Sequence, residues 1–327
     1  MKRSEWIARI LIIAGTIMVI GAPFYFRGRT PMIHARLAEA GGWSTSVIEA
    51  ETGQPLHLRL TSDDVMHGFA VGQMQMEPVD VEPGKVTNVS LVFDKPGVYT
   101  FYCTRWCGLN HWRMRGTIEV GGPRASPQPV PEPLYVALGI DIDAPHISLV
   151  LPASTPSALR GERLAAGLPI EAFMDQKSYR SHSPYQIFEA LASTDLTEPE
   201  KWDVVSYLWN ANTTSESLAT GRQLFASNCA ACHGENGKGD GVFAEELAKA
   251  GESSTQNMAG ADAMTAQLPA NFTEPGRILG ASPALLQGKI LRGGMGTGMP
   301  MWGSIFTEDQ IWNLIAYIYS FQFEYDH

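Results

Sequence analysis

The sequence predicts a multidomain chain: an N-terminal transmembrane helix, an all-β sandwich, and an all-α C-terminal domain preceded by a helical segment that resembles it. Three observations predict this. Trp6 to Phe26 is one apolar run, residues 43–120 alternate apolar and polar at strand period, and the chain beyond residue 133 carries helix caps and an internal repeat. The formal net charge is −10 with no dense basic block, which excludes nucleic-acid binding by phosphate neutralisation. A hydrophobic fraction of 44% against 18% charged residues excludes disorder as the main state and fits a folded protein that meets a membrane.

The first element, within residues 1–29, is long enough to cross a bilayer once, with Arg9 near one end able to snorkel to the headgroups. A cleaved signal peptide is the competing reading, but Gly21 and Ala22 run straight into Pro23, a poor place to cut. Lys2, Arg3 and Arg9 at its start balance Arg27, Arg29 and Arg36 after it, so charge leaves the orientation open.

The second element, residues 30–122, reads as a small antiparallel sandwich. Leu56, Leu58 and Leu60 alternate with His57 and Arg59, Val89, Leu91 and Phe93 repeat the pattern, and Glu82-Pro83-Gly84 and Lys95-Pro96-Gly97 supply turns. Prolines at 123, 127, 129, 131 and 133 make residues 123–133 an extended tether.

Helical patterning follows. Leu196-Thr197-Glu198 with Trp202 and Tyr207 matches Phe306-Thr307-Glu308 with Trp312 and Tyr317 at a constant offset, and each copy is preceded by a Ser-Pro step, Ser183-Pro184 and Ser282-Pro283. Ala158-Leu159-Arg160-Gly161 likewise echoes Ala219-Thr220-Gly221-Arg222. Residues 134–211 are therefore expected to be a shrunken relative of residues 212–327. Two unrelated amphipathic helices are the plainer alternative.

Four cysteines occur in the chain, in two tight pairs, and pairs so spaced usually hold something other than each other. Phe101 to Met114 reads FYCTRWCGLNHWRM, which places Cys103, Cys107, His111 and Met114 directly after a strand. Thiolates and a thioether select copper or zinc over hard cations, and imidazole suits either. Two thiolates are one too many for a single blue copper but can bridge two copper ions. His67, on an earlier loop, is the natural second imidazole, and the Arg105 carbonyl lies between the cysteines. A Cys2His2 zinc site is the competing reading and leaves Met114 without a role. Met74 and Met76 read as packing residues near the site. Trp106 and Trp112 flank these donors, and Arg113 and Arg115 flank Met114, as candidates for facing a partner.

The second pair is Cys229-Ala-Ala-Cys232-His233, the C-x-x-C-H signature of covalent haem attachment. Apart from the terminal His327 no histidine follows His233, so a sixth ligand is sought among methionines. Met299, in Gly298-Met299-Pro300-Met301, is preferred over Met295 and Met301. Residues 212–327 hold six basic and twelve acidic residues, an acidic surface suited to a basic donor.

On these residues, Trp43 to Val120 resembles the CuA cupredoxin domain of cytochrome c oxidase subunit II. The likeness is carried by Cys103 through Met114, by His67-Gly-Phe and by the exit strand Gly116 to Val120. Ser217 to Phe323 resembles a class I cytochrome c, with an insertion-like stretch at Glu252 to Gln267 as its one departure. The resemblance implies dinuclear copper CuA held by His67, Cys103, the Arg105 carbonyl, Cys107, His111 and Met114. It also implies a haem c bound to Cys229 and Cys232, with His233 and Met299 axial.

The implied function is that of subunit II of a haem-copper terminal oxidase, passing electrons from a soluble donor such as cytochrome c or a copper protein to the catalytic subunit I for oxygen reduction. Haem attachment outside the cytoplasm then orients the chain: single-pass in a bacterial inner (plasma) membrane, soluble domains periplasmic. Most such relatives have two spanning helices, and one is expected here. The corresponding subunit of a nitric oxide reductase and a membrane-tethered copper carrier are the alternatives; a nitrous oxide reductase is disfavoured because its second copper cluster needs many histidines and only eight occur here.

Overall fold

The computed structural model describes residues 32–327 except 75, 109–110, 123–131, 249–267, 295–298 and 327, together with Thr16 and without the side chain of Trp112. The expected membrane span, most of the proline-rich tether, the stretch 252–267 and Met295 lie outside the described residues. Among the described residues no helix is long and apolar enough to cross a membrane.

Among the described residues eight strands form two facing sheets. One contains β1 (Met32–Ala35), β3 (Leu56–Ser62) and β6 (Thr87–Leu91) in the order β1-β3-β6. The other contains β2 (Val47–Glu51), β4 (His67–Val71), β5 (Val79–Val81), β7 (Gly97–Tyr102) and β8 (Arg115–Gly121) in the order β2-β8-β7-β4-β5. The expected alternation holds: Leu58 and Leu60 are buried while His57 and Arg59 face out. The sheets are mixed rather than purely antiparallel, because β1 runs parallel to β3 and β2 parallel to β8. Hairpin turns, the signal visible in sequence, specify only antiparallel neighbours; these pairings join strands distant along the chain.

Between the sheets lie Ile33, Leu58, Leu60, Phe69, Phe93, Phe101 and Ile118, all nearly inaccessible to solvent. Each large apolar side chain so buried contributes about 1.5–3 kcal/mol. Trp43 meets Phe69 and Phe101 edge-on at centroid spacings of 5.7 and 5.8 Å, and the Trp43 indole N–H donates to the Met114 carbonyl at 3.1 Å. The core is thereby tied to the loop that carries the cysteines.

The helical region repeats one construction. Helices α1 (Ala158–Ala165) and α2 (Glu198–Ala211) cross through Gly161, where a Cβ would overlap the Asp203 carbonyl. Helices α3 (Ser215–Asn228) and α4 (Glu308–Tyr319) cross through Gly221, where a Cβ would overlap the Asn313 carbonyl. Asp203 and Asn313 are related by the same offset as Trp202 and Trp312, so the sequence repeat has a spatial counterpart. Thr197 and Thr307 both cap with a reciprocal partner three residues on, Glu200 and Gln310. A single apolar cluster draws from both halves, including Ile187, Trp202, Trp209, Phe225, Ile315 and Tyr319.

Backbone-to-backbone approach at a glycine tolerates no side chain. Gly221→Val is expected to lower the unfolding free energy by about 1–3 kcal/mol, read as an earlier denaturation midpoint, while the exposed Gly139→Ala, which meets nothing within 4 Å at φ +64, should cost less.

Candidate metal centre and covalent attachment site

The two adjacent antiparallel strands β7 and β8 end in register at Tyr102 and Arg115, and the loop between them is closed by the Cys103 N–H donating to the Met114 carbonyl at 3.0 Å. Two further turns fold the loop inward: Cys107 N–H to Arg105 O at 2.7 Å and Met114 N–H to His111 O at 2.9 Å. Four predicted side-chain donors and the Arg105 carbonyl are therefore gathered by one hairpin. The fifth side-chain donor, His67, enters from β4, where it is fully buried.

The Cys103 and Cys107 sulfurs stand 3.9 Å apart. His67 Nδ1 lies 3.9 Å from Cys103 Sγ, the Arg105 carbonyl oxygen 3.3 Å from the same sulfur, and Met114 Sδ 3.5 Å from Cys107 Sγ. One donor atom each from His67, Cys103 and Cys107 fits within 4.8 Å. His111 and Met114 are buried beside them. Soft donors crowded this closely, with both sulfurs central and imidazole, thioether and carbonyl around them, fit a copper pair. A four-ligand zinc site would leave the buried Met114 sulfur, against Cys107, unused.

The electrostatics follow from this crowding. The Cys103 thiol is held down to about 3, first by the hydrogen bond from Cys107 and then, against burial, by His111, His67 and the Gly68 N–H. The proton stays on Cys107, whose thiol is pushed up by facing Cys103. A pocket that already favours one thiolate needs less free energy to accept a cation.

Asp64 was not singled out from sequence. Its Oδ1 accepts from His67 Nε2 at 2.7 Å, so His67 presents Nδ1 to the sulfurs. Burial raises the Asp64 carboxyl, but hydrogen bonds from His67, Leu37 N–H and Val65 N–H outweigh it and leave it lowered. Only its position three residues before His67 hinted at this role. Arg105 forks onto Asp80 at 2.8 and 3.0 Å, which steadies the loop whose carbonyl faces Cys103. Met76 Sδ accepts from the Val71 N–H at 3.2 Å and, with Met74, packs on the sandwich core, as expected of packing residues.

Cys229 ends α3, and Cys232 and His233 lie on the short turn α5 (Ala230–His233) that follows it. His233 Nδ1 donates to the Ala270 carbonyl at 3.0 Å and its ring stacks on Phe272 at 4.7 Å, which leaves Nε2 as the free ligand atom. Burial raises the Cys229 thiol to about 12 and the Cys232 thiol to about 11. A redox-active C-x-x-C pair lowers its attacking thiol, so these thiols behave otherwise. Two half-buried neutral thiols beside a fixed imidazole fit a covalently attached haem.

Met299 packs against the helical core, whereas Met301 is 63% exposed. The loop holding Met299 is fastened by Gly294 N–H to Met299 O at 3.1 Å and Trp302 N–H to Ile290 O at 3.2 Å. Arg115 and Trp106 depart from expectation. Arg115 donates to the Met301 carbonyl at 3.0 Å with its guanidinium over Trp302, and Trp106 meets Phe243, so both are engaged by this chain's own helical region rather than left for a partner.

The family model described as cytochrome c oxidase subunit II, periplasmic domain, matches residues 44–120, and that described as cytochrome c matches residues 218–322. Cytochrome c oxidase subunit 2 of Thermus thermophilus is 42% identical over 84 residues, 26% of this chain and 62% of that protein. Nitrous-oxide reductase of Ralstonia nicotianae is 31% identical over 87 residues, 25% of this chain and 13% of that enzyme. A crystal structure of the periplasmic domain of subunit II of cytochrome oxidase of Bradyrhizobium japonicum is 22% identical, covering 26% of this chain and 61% of its own, with a TM-score of 0.21. The chain spans less than two thirds of the curated relatives it matches first, 62% and 49% of their lengths.

Because Asp64 fixes which nitrogen His67 offers, Asp64→Ala is expected to weaken copper binding about 10–100-fold while leaving the fold intact, as read by competitive metal titration and circular dichroism.

Proposed function

Taking residues 44–120 as a cytochrome c oxidase subunit II periplasmic domain and residues 218–322 as a cytochrome c domain, we propose that this chain is the electron-accepting subunit II of a haem-copper terminal oxidase. In that role Cys229, Cys232 and His233 would hold the haem that takes electrons from an external donor, and the β7–β8 loop would hold the copper that passes them to the catalytic subunit for oxygen reduction. The observation that carries the reading is the pairing of two closed donor sets in one chain. When loaded, both centres supply reversible one-electron chemistry, and neither donor set leaves a position for substrate.

The chain's own residues then have distinct tasks. Cys103 and Cys107, with His67 and His111, would hold the copper, and Met114 and the Arg105 carbonyl would supply the weaker donors beside them. His233, fixed by Ala270 and Phe272, and Met299, fixed by its loop, would be the residues that hold the iron; His/Met ligation would raise its potential to suit a mild donor. Residues 134–211 are a cytochrome c-like segment without a haem motif. We place the chain in a bacterial inner membrane through residues 1–29, with the rest periplasmic.

A buried donor set served by a neighbouring haem domain argues against a copper carrier, which must release its metal. The deciding experiment is purification of the complex through this chain, followed by measurement of oxygen and nitric oxide consumption. Oxygen turnover with fast reduction of copper by the haem is expected; nitric oxide turnover alone would instead favour the reductase.

Two ligand tests follow. Cys103→Ser should abolish the two-copper spectrum, whereas Met114→Leu should keep both coppers and shift the potential; a normal spectrum in the Cys103 variant would refute the assignment. Met299→Ala should remove the iron–sulfur absorption band of the oxidised haem, and Met301→Ala should preserve it.

A further inference from the structure

Among the described residues, the copper-bearing sandwich touches the helical region on two sides close to predicted copper ligands, and again at the end of β4. On the first side, Trp106 lies between the two cysteines with its ring 4.0 Å from the His111 ring and 5.8 Å from the ring of Phe243. Phe243 belongs to the segment fastened directly onto the C-x-x-C-H turn, by Gly241 N–H to Cys232 O at 3.1 Å and Phe243 N–H to Ala231 O at 2.9 Å. A run of contacts therefore leads from His111 through Trp106 and Phe243 to the residues that would carry the haem.

On the second side, Arg115 follows Met114 in sequence and donates Nη1 to the carbonyl of Met301, two residues after Met299. Its guanidinium lies 5.7 Å from the Trp302 ring centre. Nε and Nη2 are buried with no acceptor among the described residues, so the Met301 carbonyl and the Trp302 face are the anchors of that charge.

A third contact lies at the end of β4. Gln73 is the one non-glycine residue with positive φ among the described residues, at 60°. In that conformation its N–H donates to Ile305 O at 2.8 Å and its side-chain amide to Gly303 O at 3.0 Å. The preceding Gly72 is packed so closely that a Cβ would sit 2.7 Å from both Ile305 Cα and Ser304 O. A strained backbone whose hydrogen bonds are spent on another domain marks an arrangement imposed by that contact.

We propose that the loop 299–306 is permanently seated on the copper domain by Gly72, Gln73 and Arg115, and that Trp106 is the positioning residue that bridges the copper ligand His111 to the haem-binding segment through Phe243. The inference rests on the relay reading above and deepens it. Transfer between the centres then occurs within a preformed contact rather than by encounter, and this face of the copper domain is closed to an external donor. The donor must dock on the haem domain.

The test uses the full chain carrying both cofactors, with the haem photoreduced by a flash and haem and copper absorption followed. Wild type is expected to transfer in one phase whose rate is independent of protein concentration and ionic strength. Trp106→Ala should slow that phase tenfold or more with both reduction potentials unchanged, and Trp106→Phe should restore most of it. Gly72→Val and Arg115→Met, which touch no ligand side chain, should each slow transfer and raise hydrogen exchange at the Gln73 amide and across 299–306.

Unaltered transfer in Trp106→Ala would overturn the bridging role. Unaltered exchange in both Gly72→Val and Arg115→Met would overturn the seat. Failure of the relay reading looks different: wild type would lack the two-copper spectrum or show no haem-to-copper transfer while the exchange pattern still reported the seat.

Discussion

Two sulfurs held 3.9 Å apart inside a closed hairpin loop are the constraint on which the copper domain depends. Such a pair is costly unless its charge is shared, and the surrounding groups do that sharing: two imidazoles, the Gly68 N–H and a single retained proton. The rest of the sandwich serves to hold the loop's ends. Tyr102 and Arg115 close it from the sheet, Trp43 pins the Met114 carbonyl from the core, and Asp80 anchors Arg105 from the edge. Exposed as it is, the Arg105–Asp80 pair adds about 0–1 kcal/mol to stability, so its contribution is to orientation rather than to folding.

The helical region contains two similarly built helix crossings, one beside a C-x-x-C-H turn and one without it. Both helix crossings keep the glycine that lets two backbones meet, because any side chain there would collide with a carbonyl. Both keep the threonine cap and the tryptophan one position before the contact. What differs is the interior. Where residues 212–327 carry the C-x-x-C-H turn, residues 134–211 fill their centre with rings: Phe188 on Trp202 at 4.6 Å and Tyr179 on Trp209 at 5.3 Å. Trp209 in turn meets Tyr319 at 5.5 Å, so the ring-filled half is packed directly against the half that carries the haem motif. Arg180 over Trp312 at 4.1 Å adds a polar contact across the same boundary.

Much of this was legible in the sequence because the signals were local. Strand alternation at Leu58 and Leu60, the Thr197 and Thr307 caps, and the ligand spacing from Cys103 to Met114 all act within a few residues. Asp64 was less visible, since an aspartate beside a histidine is common and only the fold shows its carboxylate on Nε2. The parallel pairings of β1 with β3 and of β2 with β8 left no mark at all, because no turn connects the paired strands.

By itself, then, the sequence determined the kinds of donor present, their grouping into two sets, and the order of β-rich and helical regions. These are properties of spacing and periodicity that the chain cannot avoid expressing. Only the tertiary structure decided that His67 offers Nδ1, that Met299 is turned inward and Met301 outward, and that Arg115 and Trp106 face this chain's own helices. Each of those is a choice of orientation that spacing leaves open and three-dimensional contacts settle: a carboxylate three residues away for His67, and residues far apart along the chain for Arg115 and Trp106.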